Sequence, residues 1–158
     1  MPAFAVSGYQ LSQGTVRDRD RLLQFLTLTY QEMGQARETL HPGRHLTDLL
    51  DLHLAPSTPI WWVKANADAE PVACLWLGTA LDPRQGRTHS HVLLLYVKPL
   101  HRRRGIATAL MHHAEGWAAQ RGDRQIELQV FAHNAAAIGL YTRLGYGTEA
   151  LWMTKPLP

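Results

Sequence analysis

Apolar residues recur along the chain with two different periods, and each period predicts a different kind of element. Spacing of three to four residues is typical of a helix buried on one face, and it begins just after Thr15 and Asp18, whose separation resembles a capping box. Two helices, the first ending at Gly34, are predicted by two sets of apolar residues: Leu22, Leu23, Phe25, Leu26, Tyr30 and Met33, and then Leu46, Leu49, Leu50 and Leu54.

Strands are predicted where apolar residues are continuous or alternate with polar ones. Residues 60–65 and 71–81 flank the polar link NADAE and therefore predict a hairpin. The run 91–97 is apolar nearly throughout, so we expect it at the centre of the sheet, covered on both faces. The remaining predictions are strands at 3–12, 125–133 and 148–154, a turn at 41–45 and a loop at 82–90.

The resulting order of elements, β-α-α-β-β-β-α-β-α-β, predicts an α/β fold of the α+β type, with a mixed central sheet flanked by helices. The sequence contains no internal repeat and no linker, so we expect one domain over 1–158. An apolar fraction of 46% and a charged fraction of 18% are typical of globular proteins.

The stretch 91–110 combines a strand, a tight turn and the start of a helix. Pro99 lacks the N–H that a sheet ladder needs, so the strand is expected to end before it. Three arginines, Arg102 to Arg104, then stand where the next helix begins. A helix N-terminus is already positive, so cations there are unfavourable unless an anion binds between them. Gly105 and Ala107 would let such a ligand approach the backbone closely.

Arg102-x-x-Gly105-x-Ala107 resembles the pyrophosphate-binding loop, (Q/R)xxGx(G/A), of the GNAT superfamily of N-acyltransferases. A second block, Asn134 to Tyr146, resembles the family segment that carries Asn, Ala, Leu-Tyr and Gly-Tyr in that order. The start of this second block, NAAAIGLY, resembles the branch that acetylates ribosomal-protein alanine. The resemblance covers residues 91–155 well and the first 90 residues only in layout, and the acyl-CoA-binding core would span about 91–146.

The resemblance implies acetyl-CoA as cosubstrate, held by two groups of residues. Backbone groups of Leu95, Tyr96 and Val97 would pair with the pantetheine amides, as a peptide adds to a strand. The pyrophosphate would be held by the loop and the first helical turn, with Asn134 contacting the CoA arm: Arg102, Arg103, Arg104, Gly105, Ile106, Ala107 and Thr108. An ordinary basic surface turn is the alternative for the arginines, but it leaves Gly105 and the flanking strand and helix unexplained.

Tyr141 is implied as the general acid that protonates the departing thiolate, with a packing tyrosine as the alternative. Carboxylates that the family often places on the central strand or the following one fall here on Leu93 or Leu94 and on Gln129. Glu127, two residues before Gln129 and so on the same strand face, is the nearest substitute for the base. His89, His91 and a water relay are its rivals, and a surface carboxylate is the alternative role for Glu127. The pair His89-x-His91 lacks further ligands, so no metal is expected.

Charge, cysteine content and the N-terminal sequence indicate the compartment in which the protein is expected. Net charge is +3, Cys74 is the only cysteine, and no apolar run approaches the length of a membrane span. The N-terminus lacks the features of a signal peptide, so a cytoplasmic protein without a membrane partner is expected.

The acceptor side of the predicted site is less complete than in the family. Six residues separate Tyr146 from Met153, which leaves room for one long strand or a very short hairpin. The acceptor pocket is therefore expected to be open, or to be completed by a second subunit in a homodimer.

The function that we predict is direct transfer of an acetyl group from acetyl-CoA to a primary amine, on a protein N-terminus or a small molecule. Transfer of a longer acyl group is an alternative within the same class. Missing family carboxylates also suit a non-catalytic acyl-CoA sensor. A nucleic-acid binder is disfavoured, because the arginines lack RNA-binding aromatic residues beside them.

Overall fold

The computed structural model of the chain describes residues 4–34, 43–66 and 68–158. Those residues form five strands, four α-helices and two short 3-10 helices at Val16–Asp18 and Pro99–His101. The strands are β1 (Tyr9–Gln13), β2 (Ile60–Ala65), β3 (Pro71–Asp82), β4 (Arg87–Val97) and β5 (Ile126–Leu128). The helices are α1 (Arg19–Gly34), α2 (Gly43–His53), α3 (Ile106–Arg121) and α4 (Ala135–Arg143).

The five strands make one mixed sheet in the order β1-β2-β3-β4-β5, antiparallel except for the parallel pair β4–β5. The predicted mixed sheet with flanking helices is confirmed. As predicted, the strand that carries 91–97 lies in the interior of the sheet, between β3 and β5, although the middle strand of the five is β3. Its residues 71–78 are all buried, whereas residues on one side of β4 stay half-buried.

Helices cover both faces of the sheet. Helices α1 and α2 bury their apolar stripes against a face that carries Trp62, Cys74 and Trp76. The thiol of Cys74 has no exposed surface, and its burial together with the charge of Asp18 raises its pKa well above the ordinary value. On the opposite face, Trp61 packs edge-on against His113 of α3, with ring centroids 4.7 Å apart.

The start of α1 follows from the spacing seen in the sequence. The Thr15 N–H donates to Asp18 Oδ2 at 2.8 Å, and the Arg17 N–H donates to Thr15 Oγ1 at 3.2 Å. The predicted capping box is therefore confirmed. Both predicted helices in the first third of the chain are present, and α1 ends at Gly34 as expected.

Several predicted boundaries are wrong. The expected strand at 125–133 is only three residues long, because the chain turns at Phe131, whose carbonyl accepts from the Asn134 N–H. The expected loop 82–90 shortens to residues 83–86, since β3 and β4 continue their pairing to Asp82 and Arg87. The first strand is Tyr9–Gln13 rather than 3–12, and residues 1–3 lie outside the described part.

Two further predictions concern the turn at 41–45 and the last strand. Residues 41 and 42 lie outside the described part of the chain, and 43–45 already belong to α2. Residues 148–154 do not form the predicted strand and are exposed to solvent. A strand is stable only beside a partner that satisfies its backbone groups, and α4 is the only regular element of the described residues 129–158.

The chain divides into two compact units, Met1–Leu128 and Gln129–Pro158. The first unit holds the whole sheet with α1, α2 and α3, and the second holds α4. The expectation of one domain over 1–158 stays a prediction. Within the described ranges, no helix combines the length and the apolar character that crossing a membrane requires.

Asp123 connects the end of α3 to β4 at Ser90. Its carboxylate accepts hydrogen bonds from the backbone N–H and the hydroxyl of Ser90, and from Arg121 Nε at 3.0 Å. Burial alone would raise the pKa of Asp123, but these hydrogen bonds outweigh it and hold the pKa below its ordinary value. The end of α3 is thereby fastened to β4 one residue before His91.

Asp123→Asn should destabilise the protein by about 1–3 kcal/mol, since an amide cannot accept all of these charge-assisted bonds. Urea denaturation at several pH values measures the effect. A carboxyl with a lowered pKa stabilises the fold above its unfolded pKa and stops doing so as pH falls through its folded pKa. The difference from the parent protein should therefore shrink below about pH 4. Asp48→Asn, at an exposed position of α2, serves as the control, and an equal loss there would contradict the prediction.

Candidate active site

A β-bulge in β4 lies directly before the residues of the candidate site. Leu94 pairs with Trp76 and Val92 pairs with Leu77, so Leu93 is an extra residue in the ladder between β3 and β4. The neighbouring Gly78 makes room for it, because a Cβ at Gly78 would come within 2.7 Å of the Leu93 side chain. Bulges bend a strand and are common beside active sites.

Beyond the bulge, β4 loses its partner on one edge. Pairing with β5 ends at Val92, opposite Leu128. The Lys98 N–H donates to the Val72 carbonyl of β3 at 2.8 Å. Because successive residues direct their backbone groups to opposite edges, those of Leu95 and Val97 face the open edge, whereas those of Tyr96 face β3. Of the three residues predicted to pair with pantetheine, Leu95 and Val97 have the suitable backbone orientation and Tyr96 does not.

The loop after β4 leads into the N-terminus of α3. Gly105 adopts φ +81° as the N-cap residue, and Arg103 also lies in the left-handed region at φ +61°. The Gly105 carbonyl accepts from the Ala109 N–H at 3.0 Å, which is the first bond of the helix. The N–H groups of Ile106, Ala107 and Thr108 therefore lack helical partners, and no side chain caps the helix. Such a terminus favours an anion.

The three predicted arginines differ in their partners. Arg102 donates to the Val97 carbonyl and to the carboxylate of Glu32. Arg104 Nη1 donates to the Tyr9 hydroxyl at 3.2 Å, and that hydroxyl also lies 3.0 Å from His101 Nδ1. Arg103 is exposed and has no hydrogen bond or ion pair with the described residues. The loop thus holds one cation that is fully available to a ligand.

The candidate base lies between two histidines. Glu127 Oε1 lies 2.9 Å from His91 Nδ1, and its Oε2 lies 2.7 Å from His89 Nε2. Partial burial would raise the pKa of Glu127, but the contacts and charge of the two histidines outweigh it and lower the pKa. Glu127 is therefore ionised at neutral pH. An ionised carboxylate only accepts hydrogen bonds, so the Nδ1 atom of His91 carries the proton.

Accessibility separates the two histidines of this cluster. The His89 side chain is 4% exposed, whereas that of His91 is 18% exposed. A proton acceptor for an incoming substrate must be reachable, which favours His91 of the two. The described residues hold no group of three His, Cys, Asp or Glu side chains arranged to bind a metal ion.

The second unit carries the other two predicted site residues. Asn134 caps α4 as predicted, its Oδ1 accepting from the Ala137 N–H at 3.2 Å, and Gly145 follows the helix at φ +90°. Tyr141 is half-buried within α4, and its ring lies 5.8 Å from that of Tyr146. Burial raises the pKa of Tyr141 to about 12, so its phenol stays protonated throughout the neutral range.

Sequence reasoning missed the bulge at Leu93 and the partner of Arg102. Gly78, a glycine inside an otherwise apolar strand, was a usable sign of the bulge, since such glycines mark bulges and close approaches. No local pattern pointed to Glu32, which lies 70 positions before Arg102.

Comparison with known proteins points to one family of acetyltransferases. Residues 22–146 match the profile of the Acetyltransferase (GNAT) family. A Bacillus subtilis (strain 168) protein, the uncharacterized N-acetyltransferase YdgE, is 28% identical over 101 residues, which are 64% of this chain and 63% of that protein. The match therefore spans somewhat less than two thirds of that relative.

Solved structures share the fold over nearly the whole chain. A GCN5-related N-acetyltransferase from Ralstonia eutropha JMP134 has a TM-score of 0.78 and 26% identity, covering 95% of this chain and 99% of that one. A protein from Clostridium acetobutylicum described as a predicted acetyltransferase and solved with acetyl-CoA has a TM-score of 0.74 and 17% identity, covering 94% of this chain and 96% of that one.

Gly105→Asp should abolish acetyl-CoA binding, because it sets a carboxylate beside the unpaired N–H groups of α3. Calorimetry, or the rise in melting temperature that the ligand causes, measures the affinity for acetyl-CoA. Gly122→Asp is the matched control, since Gly122 ends the same helix at φ +92° and, as at Gly105, a Cβ there meets nothing within 4 Å. Both variants carry similar backbone strain and charge. Equal acetyl-CoA affinity in the two folded variants would contradict the assignment of the loop.

Proposed function

The chain belongs to the GNAT family of acetyltransferases, and from this premise we propose that it transfers the acetyl group of acetyl-CoA to a primary amine. The observation that carries the proposal is the pairing of two features in one unit. Among the described residues of the first unit, β4 has no partner strand on one edge beyond Val92, and the N-terminus of α3, which no side chain caps, follows directly. A ligand with amide groups and a pyrophosphate matches both, and the Clostridium acetobutylicum relative of the same fold was solved with acetyl-CoA.

In this proposal the pantetheine arm pairs with Leu95 and Val97 as an added strand would. The pyrophosphate binds the N–H groups of Ile106, Ala107 and Thr108, where the helix dipole favours its charge. Arg103 supplies a cation that has no competing protein partner among the described residues. Arg104 reaches the same anion by releasing a single hydrogen bond to Tyr9.

The reaction needs one proton acceptor and one proton donor. The amine loses a proton and attacks the thioester carbonyl, a C–N bond forms, and collapse of the tetrahedral intermediate breaks the C–S bond. The CoA thiolate then takes up a proton. No covalent enzyme intermediate is required, and Cys74 is buried in the core, away from solvent.

We assign the acceptor role to His91, with Glu127 as its partner. Nδ1 of His91 donates to the ionised carboxylate, so Nε2 is left with the lone pair that accepts a proton. Glu127 then stabilises the imidazolium that forms. Its own lowered pKa makes it a weak base, which is why the histidine fits the role better than the carboxylate.

Tyr141 is proposed as the donor to the thiolate. With a pKa of about 12 the phenol is protonated at every assay pH. Its proton is held more tightly than that of a thiol, whose ordinary pKa is about 8.5. The transfer is therefore concerted with C–S cleavage in this proposal, or is completed by solvent.

The acceptor amine is the open part of the proposal. Release of CoA in the presence of a panel of amines, containing polyamines, amino acids, aminoglycosides and N-terminal peptides, identifies the class that is used. Binding of acetyl-CoA without turnover of any of these amines would favour the alternative, a non-catalytic acyl-CoA sensor. The same panel with longer acyl-CoA thioesters determines the acyl preference.

Tyr141→Phe should lower kcat by about 100- to 10,000-fold, while acetyl-CoA affinity stays nearly unchanged. The ring and its packing beside Tyr146 remain, and only the proton donor is lost. Steady-state kinetics together with calorimetric binding separate the two quantities. Tyr146→Phe is the matched control within the same unit. An unchanged kcat in Tyr141→Phe would make Tyr141 a packing residue.

His91→Gln should reduce kcat/KM by about 100-fold or more near neutral pH, by removing the proton acceptor. Glu127→Gln should act differently: kcat/KM should fall by less than in His91→Gln, because the imidazole that accepts the proton remains and only its carboxylate partner is lost. His112→Gln, at an exposed position of α3, is the control. Complete loss in Glu127→Gln at all pH values would instead assign the proton transfer to the carboxylate.

A further inference from the structure

Arg102 is held by contacts with three residues of its own chain. Its Nε donates to the Val97 carbonyl at 2.8 Å, and its Nη2 donates to both carboxylate oxygens of Glu32 at 2.8 and 2.7 Å. Its guanidinium also lies over the Tyr96 ring, 5.5 Å from the centroid. The Tyr96 hydroxyl donates to the same Glu32 carboxylate at 2.6 Å. We call these four residues, Glu32, Tyr96, Val97 and Arg102, the Glu32 clamp.

The clamp joins three parts of the fold. Glu32 lies in the last turns of α1, Tyr96 and Val97 end β4, and Arg102 follows the single 3-10 turn that leads to the loop. Tyr96 is 6% exposed and packs edge-on against Phe25 of α1. Burial and the bond to Glu32 raise the pKa of Tyr96 to about 12, so its hydroxyl remains a donor.

A phosphate ligand needs guanidinium donors that are free to reach it. In Arg102 the donors Nε and Nη2 are committed, and the Glu32 carboxylate neutralises the charge. Burial would raise the pKa of Glu32, but the bonds from Tyr96 and Arg102 outweigh it and lower the pKa, so the pair is ionic at neutral pH. Arg102 also occupies the Val97 carbonyl, leaving the Val97 N–H and the Leu95 groups for a ligand on that edge.

We propose that Glu32 and Arg102 are positioning residues for the acyl-CoA site: Glu32 holds the Arg102 guanidinium on the Val97 carbonyl, and this contact fixes the turn that places Arg103 and Gly105. The inference rests on the proposed function in that it concerns how the same site is built. It assigns Arg102 a role within the protein rather than on the phosphate.

The sign of one effect distinguishes the two roles. Glu32→Gln removes a negative charge near the loop and releases Arg102. If Arg102 were a phosphate ligand, acetyl-CoA would bind equally well or more tightly to the more positive variant. If Arg102 is a positioning residue, the variant binds more weakly in spite of its extra positive charge.

Affinities for acetyl-CoA and for acetyl-pantetheine, which lacks the phosphates, test this in Glu32→Gln and Arg102→Lys. Each variant should bind both ligands about 10-fold more weakly, the range expected for lost bonds between charged groups. The double variant should lose little more than either single one, because both changes release one contact. Arg103→Ala should weaken acetyl-CoA alone. Asp51→Asn, which removes the Arg19 ion pair between α1 and α2, should leave both affinities unchanged.

A second measurement uses the protein without ligand. The N–H groups of His101 and Arg102 donate to the Lys98 and Pro99 carbonyls in the turn that the clamp fixes. Glu32→Gln should raise their hydrogen-exchange rates about 10-fold relative to the parent and to Asp51→Asn.

The two measurements separate this inference from the proposed function. Unchanged hydrogen-exchange rates, or tighter acetyl-CoA binding, in Glu32→Gln would overturn the positioning role of Glu32 and Arg102, even if the parent protein proves to be an acetyltransferase. Absence of acetyl-CoA binding by the parent protein would instead overturn the proposed function, while the exchange result would still decide whether Glu32 positions the turn.

Discussion

Leu93 is one residue more than the ladder between β3 and β4 can pair, and β4 accommodates it as a bulge whose side chain packs over Gly78. Pairing with β5 ends at the residue before it. The backbone groups of Leu95 and Val97 are therefore left without a strand on that edge in the first unit. A free strand edge is usually a hazard for a protein. Here it is short, it lies beside a basic loop, and it presents peptide groups that a ligand rich in amides can satisfy.

The three neighbouring arginines of the loop differ in how far protein partners compensate their charges. Three guanidinium groups at a helix N-terminus would repel one another and the helix dipole. Arg102 is neutralised by Glu32, and Arg104 donates to the Tyr9 hydroxyl, so the loop bears less uncompensated charge than its sequence implies. Arg103, held in the left-handed region, makes no hydrogen bond or ion pair with the described residues. The arrangement limits the repulsion among the three guanidinium groups and still offers an anion a positive site.

The sequence predicted the parts of this structure that depend on local pattern. The apolar stripes of α1 and α2, the β2–β3 hairpin, the capping box at Thr15 and the strand-turn-helix unit around Gly105 all follow from spacing and turn chemistry. What it could not predict depends on distant partners. That β3 rather than β4 is the middle strand is decided by pairing on both edges, and residues 148–154 do not form the predicted strand without a neighbouring strand.

The candidate site was predictable to a similar degree. Its residue types and loop were visible, because a glycine and three arginines at a helix start are unusual in themselves. The contact of Glu127 with His89 and His91 required the register of β4 against β5, which one residue of slip would have abolished. The partner of Arg102 required the packing of α1 against the end of β4, for which no short-range signal exists.

Cys74 has a practical consequence for the study of this protein. It is the chain's single cysteine, it has no exposed surface, and burial keeps its sulfur in the thiol form. Thiolates rather than thiols react with disulfide reagents and alkylating agents, so the folded protein does not react with them. In an assay of the proposed acetyl transfer, a thiol that such a reagent detects would therefore come from released CoA, whereas labelling of the protein itself would report that the fold has opened.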